Sequence, residues 1–177
     1  IARNPVTGGP ATGKPQESSP KEPGALNLVF LSRVSRMKNL AGALRMLYGL
    51  EGKISFDIYG PLEDTAYWAE CRKIIRSLPE NVAVTYRGAA SHEEVGRVMA
   101  EHDLFLLPTL GENFGHVIFE SLAAGCPVLV SDRTPWRGLE EKGVGWNVPL
   151  DEGARFRAIL QGCVDIDSET HASLSRR

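Results

Sequence analysis

Pro108-Thr-Leu-Gly-Glu-Asn-Phe-Gly-His-Val-Ile-Phe-Glu-Ser-Leu-Ala-Ala-Gly-Cys-Pro127 is the stretch on which the reading of the chain turns. The apolar run Leu104 to Leu107 precedes it, bounded by Asp103 and Pro108, and predicts a short buried strand. Gly111 and Asn113 mark Thr109 to Asn113 as a loop. Val117 to Ala124 is apolar-rich and is stopped by Gly125 and Pro127, which predicts a helix. A loop that leaves the carboxyl end of a buried strand and enters a helix is where open α/β sheets hold their ligands.

The chemistry of this stretch follows from its residue types. A helix start offers unpaired N–H groups and the positive end of a dipole, which suit a phosphate. Gly115 allows close approach to the backbone. Glu112 in the loop and Glu120 in the helix are acceptors that can hold hydroxyls, and Glu120 lies one i,i+4 step from His116. A single Glu is ordinarily a solvated charge. Two of them around an apolar, glycine-containing helix start favour a ligand with a diphosphate in the middle and polyols at both ends.

Working outward, strands and helices alternate. Leu26 to Leu31 predicts a buried strand, followed by the loop Ser32 to Lys38 and a helix over 39–50 with Leu40, Ala43, Leu44 and Leu47 on one face. Arg33, Arg36 and Lys38 place three cations at that strand's carboxyl end. They are either a solvated loop or a diphosphate clamp. Ile54 to Tyr59 predicts a strand ended by Gly60-Pro61. Asp64 to Leu78 predicts an amphipathic helix with Trp68, Cys71, Ile74, Ile75 and Leu78 inward, so Trp68 reads as core rather than as a sugar platform. Val82 to Tyr86 predicts a third strand, closed by Arg87-Gly88. Ser91-His-Glu-Glu94 is a capping box opening a helix from His92 to Ala100, with His92 exposed. Val128 to Ser131 and Gly145 to Val148 predict strands, 151–164 a helix, and 167–177 a helix cut short. The absence of hairpin signals argues a Rossmann-like, doubly wound parallel sheet of five or six strands with helices on both faces.

Several of these motifs stand together, in order, as in a known family. Glu112-Asn-Phe-Gly-His-Val-Ile-Phe-Glu120 resembles the E-x7-E signature of GT4-like retaining glycosyltransferases of the GT-B fold (glycosyltransferase group 1). Ser32-Arg33-Val34-Ser35-Arg36-Met37-Lys38 resembles their G-R-[LV]-x-x-x-K pattern, with Ser32 in place of the usual glycine. Trp136-Arg-Gly-Leu-Glu-Glu departs from the Gly-Gly-x-x-Glu common there. The resemblance runs from about Leu26 to the C-terminus and covers the donor-binding half. It implies that Arg33 and Lys38 hold the diphosphate and stabilise it as a leaving group. It assigns the donor sugar to Glu112, the ribose to Glu120, and dipolar support to Asn113, Phe114, Gly115 and His116. Gly60 would line the donor cleft, and the loop at Gly88 would hold the base. The donor would be a nucleotide sugar, UDP- or GDP-linked, with no separate cofactor and no metal. An N-terminal acceptor domain would be missing, and with it any peripheral membrane association, so the half alone is expected to transfer little. The other reading is a non-catalytic Rossmann-like nucleotide-binding or interaction module. No G-x-G-x-x-G follows the first strand to support a dinucleotide version.

Composition agrees with this picture. With 177 residues, of which 42% are apolar, there is material for one domain and an extension, and the net charge of −2 gives no attraction to nucleic acid. No apolar run approaches the ~20 residues of a membrane span. Cys71, Cys126 and Cys163 are too few and scattered for a disulfide framework or a zinc site, which suits a reduced, cytoplasmic setting. Residues 1–25 are rich in Pro, Gly and Ser and read as an extended linker, with 26–177 as the domain, truncated at its C-terminus. Gly8 to Lys14 matches G-x-x-x-x-G-K, but Pro15 stands where a P-loop needs Ser or Thr.

Overall fold

The computed structural model describes residues 20 to 175. The strands are β1 (Ala25–Leu31), β2 (Lys53–Tyr59), β3 (Val82–Gly88), β4 (Leu104–Leu107), β5 (Val128–Ser131) and β6 (Gly145–Val148). All pair in parallel in the order β3-β2-β1-β4-β5-β6. This is the doubly wound order, and its direction of winding reverses between β1 and β4. The helices are α1 (Leu40–Arg45), α2 (Thr65–Ser77), α3 (His92–Ala100), α4 (His116–Ala123), α5 (Gly153–Asp165) and α6 (Ser168–Ser175). Right-handed crossovers put α1 and α2, which pack together, on one face, and α3 and α4 on the other.

Burial explains why the central strands are legible as apolar runs. Every residue of β4 and β5 is buried, because helices cover both faces there. β2 and β3, towards the edge, alternate instead. The core is one cluster, from Leu26, Leu28 and Phe30 through Phe56, Phe105 and Leu129 to Phe156 and Leu160.

Three expectations are corrected. The helix over 39–50 is shorter: α1 ends at Arg45 and turns follow, with Gly49 at φ 78°, although Leu40, Ala43, Leu44 and Leu47 are all buried as expected. In α2 the buried aromatic is Tyr67, with Trp68 half-buried against Tyr86. The Tyr67 hydroxyl accepts the Ala41 N–H at 2.8 Å, which locks α2 to α1 and satisfies a helix-end donor. The third concerns the linker. Its residues 1–19, with the Gly8–Lys14 motif, lie outside the described residues, but its end is part of the domain. Lys21 is 6% exposed, and its Nζ donates to Val164 O and Ile166 O at 3.1 and 2.9 Å. A cation there satisfies the last carbonyls of α5, and burial pushes its pKa down. Gly24 N–H also bonds Val164 O. Composition hid this because one lysine, not an apolar stripe, docks the segment.

Candidate functional site

The loops after β1 and β4 meet where the winding reverses. After β1 the chain makes a short 3-10 turn over Arg36–Lys38, and Asn39 then takes a left-handed conformation at φ 57°. The Asn39 side chain accepts the Gly42 N–H and donates to Pro108 O at 2.9 Å. It therefore caps α1 and ties the two loops together. Leu110 N–H donates to Met37 O at 2.8 Å, a second tie. Between them Lys38, only 7% exposed, places Nζ 2.6 Å from Glu112 Oε2. Lys38 therefore helps hold the two loops together as well as carrying charge.

The other two cations behave differently. Arg33 is exposed and donates to Glu63 Oε2 at 2.9 Å. Arg36 is drawn onto α2, bonding Glu70 at 2.6 and 3.1 Å with its guanidinium 5.1 Å from the Tyr67 ring centre. Of the three cations of this loop, Lys38 is thus buried on Glu112, while Arg33 and Arg36 are exposed and paired with Glu63 and Glu70.

Gly60 and Gly88 are held by backbone geometry. Gly60 has φ 142°, and a Cβ there would sit 1.8 Å from Ser32 O, so no other residue fits. Ser32 N–H bonds Tyr59 O and Val34 N–H bonds Pro61 O, which carries the β1–β2 pairing past the strand ends. Gly60 N–H bonds Gly88 O, and the Tyr86 hydroxyl donates to Gly60 O. The three loops carrying Arg33, Gly60 and Gly88 are therefore locked to one another.

The β4 loop is braced from behind by the segment after β5. Glu112 N–H bonds Arg133 O at 3.0 Å, Ser131 Oγ donates to Thr109 O at 2.5 Å, and the Trp136 indole N–H donates to Phe114 O at 2.9 Å. α4 begins at His116, with Gly115 as its N-cap at φ 75° and no side-chain cap. The amides of Gly115, His116 and Val117 have no acceptor among the described residues. Asn113 and Phe114 are exposed, and the Phe114 ring lies 4.3 Å from that of His116. Glu120 Oε1 lies 3.4 Å from Nδ1 of the exposed His92, across the gap to α3. The capping box of Ser91 and Glu94 is present and sets that end of α3.

One edge therefore holds a buried cation with its carboxylate, an exposed arginine, a helix start with unpaired amides and a second carboxylate on the α3 side. Anions and hydroxyls are what such groups bind. Glu63, Asn39 and Trp136 went unnoticed as supports. Of these only Asn39, at a helix start, carried a local signal. Elsewhere, a mostly apolar groove of about 620 Å³ is lined by Phe119, Leu122, Trp136, Leu139 and Val144 and includes neither Lys38 nor Glu112. Among the described residues no group of three His, Cys, Asp or Glu is placed to hold a metal ion, and no helix is long and apolar enough to cross a membrane. All three cysteines are buried, and burial raises their thiols to about 11 for Cys71 and about 12 for Cys126 and Cys163.

Known proteins share this framework. The family described as glycosyl transferases group 1 matches residues 14–151. The amylovoran biosynthesis glycosyltransferase AmsK of Erwinia amylovora is 29% identical over 157 residues, covering 80% of this chain and 37% of that protein. Anabaena Alr3699/HepE, solved with UDP-glucose, superposes with a TM-score of 0.73 at 22% identity, covering 85% of this chain and 42% of that one. The C-terminal domain of the group 1 glycosyl transferase LpcC from Francisella tularensis superposes at 0.68 and 15% identity, covering 87% and 82%. The chain thus spans less than half the length of AmsK and Alr3699/HepE. By its sequence and its sheet, this chain belongs to the glycosyl transferases group 1 family.

Proposed function

We propose that this chain is the donor-binding half of a retaining, metal-independent glycosyltransferase that uses a nucleoside-diphosphate sugar. The observation that carries the reading is the Lys38–Glu112 pair, 2.6 Å apart and largely desolvated at the winding reversal beside the amides of α4. Lys38 and Arg33 take the diphosphate, whose negative charge grows as the glycosidic bond breaks, so charge stabilisation is greatest where it accelerates the reaction. Glu112, beside them, holds hydroxyls of the transferred sugar and favours its cationic transition state. Glu120 holds the ribose, and the backbone around Gly88 holds the base. The UDP-glucose carried by Alr3699/HepE makes a UDP-sugar the first candidate. Met37, Leu110 and Phe114 are exposed on the same two loops, a surface suited to an acceptor-binding partner half. A thermal-shift panel of UDP-, GDP- and ADP-sugars tests the reading. A ligand that binds only the folded chain raises its melting temperature, and no response to any nucleotide sugar refutes donor binding.

A further inference from the structure

We infer that Trp136 is a positioning residue that sets the orientation of the backbone amide entering α4; this rests on the donor-binding reading above. The loop from Leu110 to Gly115 has no ladder of its own. Besides the Lys38–Glu112 pair and the bonds between Thr109 Oγ1 and Gly111, three longer-range ties hold its backbone: at Leu110 by Met37 O, at Glu112 by Arg133 O, and at Phe114 by the Trp136 indole. The first two ties are backbone to backbone. The third is a side-chain donor, so one substitution can remove it without disturbing the chain path.

The geometry gives that tie a consequence. The peptide bond between Phe114 and Gly115 is trans, so the Phe114 carbonyl and the Gly115 N–H point in opposite directions across one planar unit. An indole holding Phe114 O on one side turns the Gly115 N–H to the other, away from Trp136. That N–H adjoins the amides of His116 and Val117, which likewise have no acceptor among the described residues. The packing is close: a Cβ on Gly115 would lie 3.1 Å from Trp136 Nε1 and 2.9 Å from Ile118 Cδ1. The peptide is therefore clamped as well as hydrogen-bonded. Trp136 is itself presented rigidly, because the Arg137 guanidinium bonds the carbonyls of Asp132, Thr134 and Trp136 and closes the turn that carries the indole. A preorganised donor loses less freedom when it meets an anion.

Two measurements test the role. In the unsubstituted protein, the Trp136 indole proton should exchange with solvent more slowly than a solvated indole. Exchange at the solvated rate overturns the proposal without any variant. In Trp136→Phe, which keeps the ring and removes the donor, amide exchange at Glu112 and Ile118 should rise about fivefold, the scale of one hydrogen bond's net worth, while Phe105 in β4 is unchanged. Affinity for UDP, measured by calorimetry, should fall by about the same factor. Unchanged exchange at Glu112 and Ile118, or unchanged UDP affinity in a variant whose loop has loosened, overturns the assignment to Trp136 and leaves donor binding standing. If the unsubstituted protein binds neither UDP, GDP nor ADP, the donor reading falls, and the positioning role with it.

Discussion

Replacing Lys38 by Met separates stability from ligand binding more sharply than any other single change. The side chains of Lys38 and Glu112 retain 9% and 18% of their exposure, and the charged atoms are 2.6 Å apart. Removing the cation leaves a mostly desolvated carboxylate with no counter-charge. Breaking a buried pair in this way costs about 3–5 kcal/mol when the orphan is fully enclosed. Glu112 keeps some water, so the cost falls below that range, at about 2–3 kcal/mol. For a domain of this size that lowers the melting temperature by about 4–12 °C. Glu112→Gln leaves an acceptor for Lys38 and should cost only about 1 kcal/mol. The double variant Lys38→Met, Glu112→Leu removes both charges and should recover most of the loss, since replacing a buried pair by apolar groups is often neutral. That double variant should nevertheless bind no nucleoside diphosphate, because the cation and the carboxylate are both gone. Thermal melts of the parent, Lys38→Met, Glu112→Leu and their double variant give the coupling energy of the pair, expected to exceed about 1 kcal/mol. A Lys38→Met protein melting within a degree of the parent shows that the pair is not desolvated, and the reasoning fails.

Further outcomes are open to direct measurement. Arg33→Ala should weaken nucleoside-diphosphate binding at least tenfold, the scale of a charge-assisted bond. Its melting temperature should hardly move, because the Arg33–Glu63 pair is exposed; equal affinity in calorimetry removes Arg33 from the clamp. Glu120→Gln should weaken the bare diphosphate and the full donor alike, and Glu112→Gln chiefly the full donor; equal losses on both ligands for Glu112→Gln merge the two roles. The thiols should resist iodoacetamide at pH 8, where pKa values raised to about 11 for Cys71 and about 12 for Cys126 and Cys163 keep them protonated as well as buried. Mass spectrometry finding rapid labelling of the folded chain contradicts that placement.

The sheet was legible because its central strands are apolar on both faces. Leu104 to Leu107 and Val128 to Ser131 leave no alternative, and every residue of both is buried. Helix registers were harder. Tyr67 is buried more deeply than Trp68, which packs against the core from its margin, and the Tyr67 hydroxyl accepts Ala41 N–H, a contact between two helices that neither sequence segment announces alone. The short α1 shows the same limit, since the buried stripe continues through Leu47 after the helix has ended. Within the site, residue types pointed to Glu112 and the α4 start, and the family resemblance to Arg33 and Lys38. Pairing was not readable. Lys38 and Glu112 are 74 residues apart and meet only because β1 and β4 are neighbours. Glu120 meets His92 for a similar reason: α3 packs on α4. Trp136 was visible only as a departure from a pattern, because its bond is to a backbone carbonyl in a distant loop.

Mapping amide shifts in the 15N-labelled protein, with UDP, GDP and ADP added in turn, tests the central claim most directly. The expected result, for at least one of the three, is a set of saturable shifts confined to residues 33–38, Gly60, Gly88 and residues 112–120, at the carboxyl edge of the sheet. Gly24, Lys53 and Asn81, at the opposite edge, should not move. Shifts centred on that opposite edge, or no saturable shift with any of the three nucleotides, contradict the assignment of the donor site.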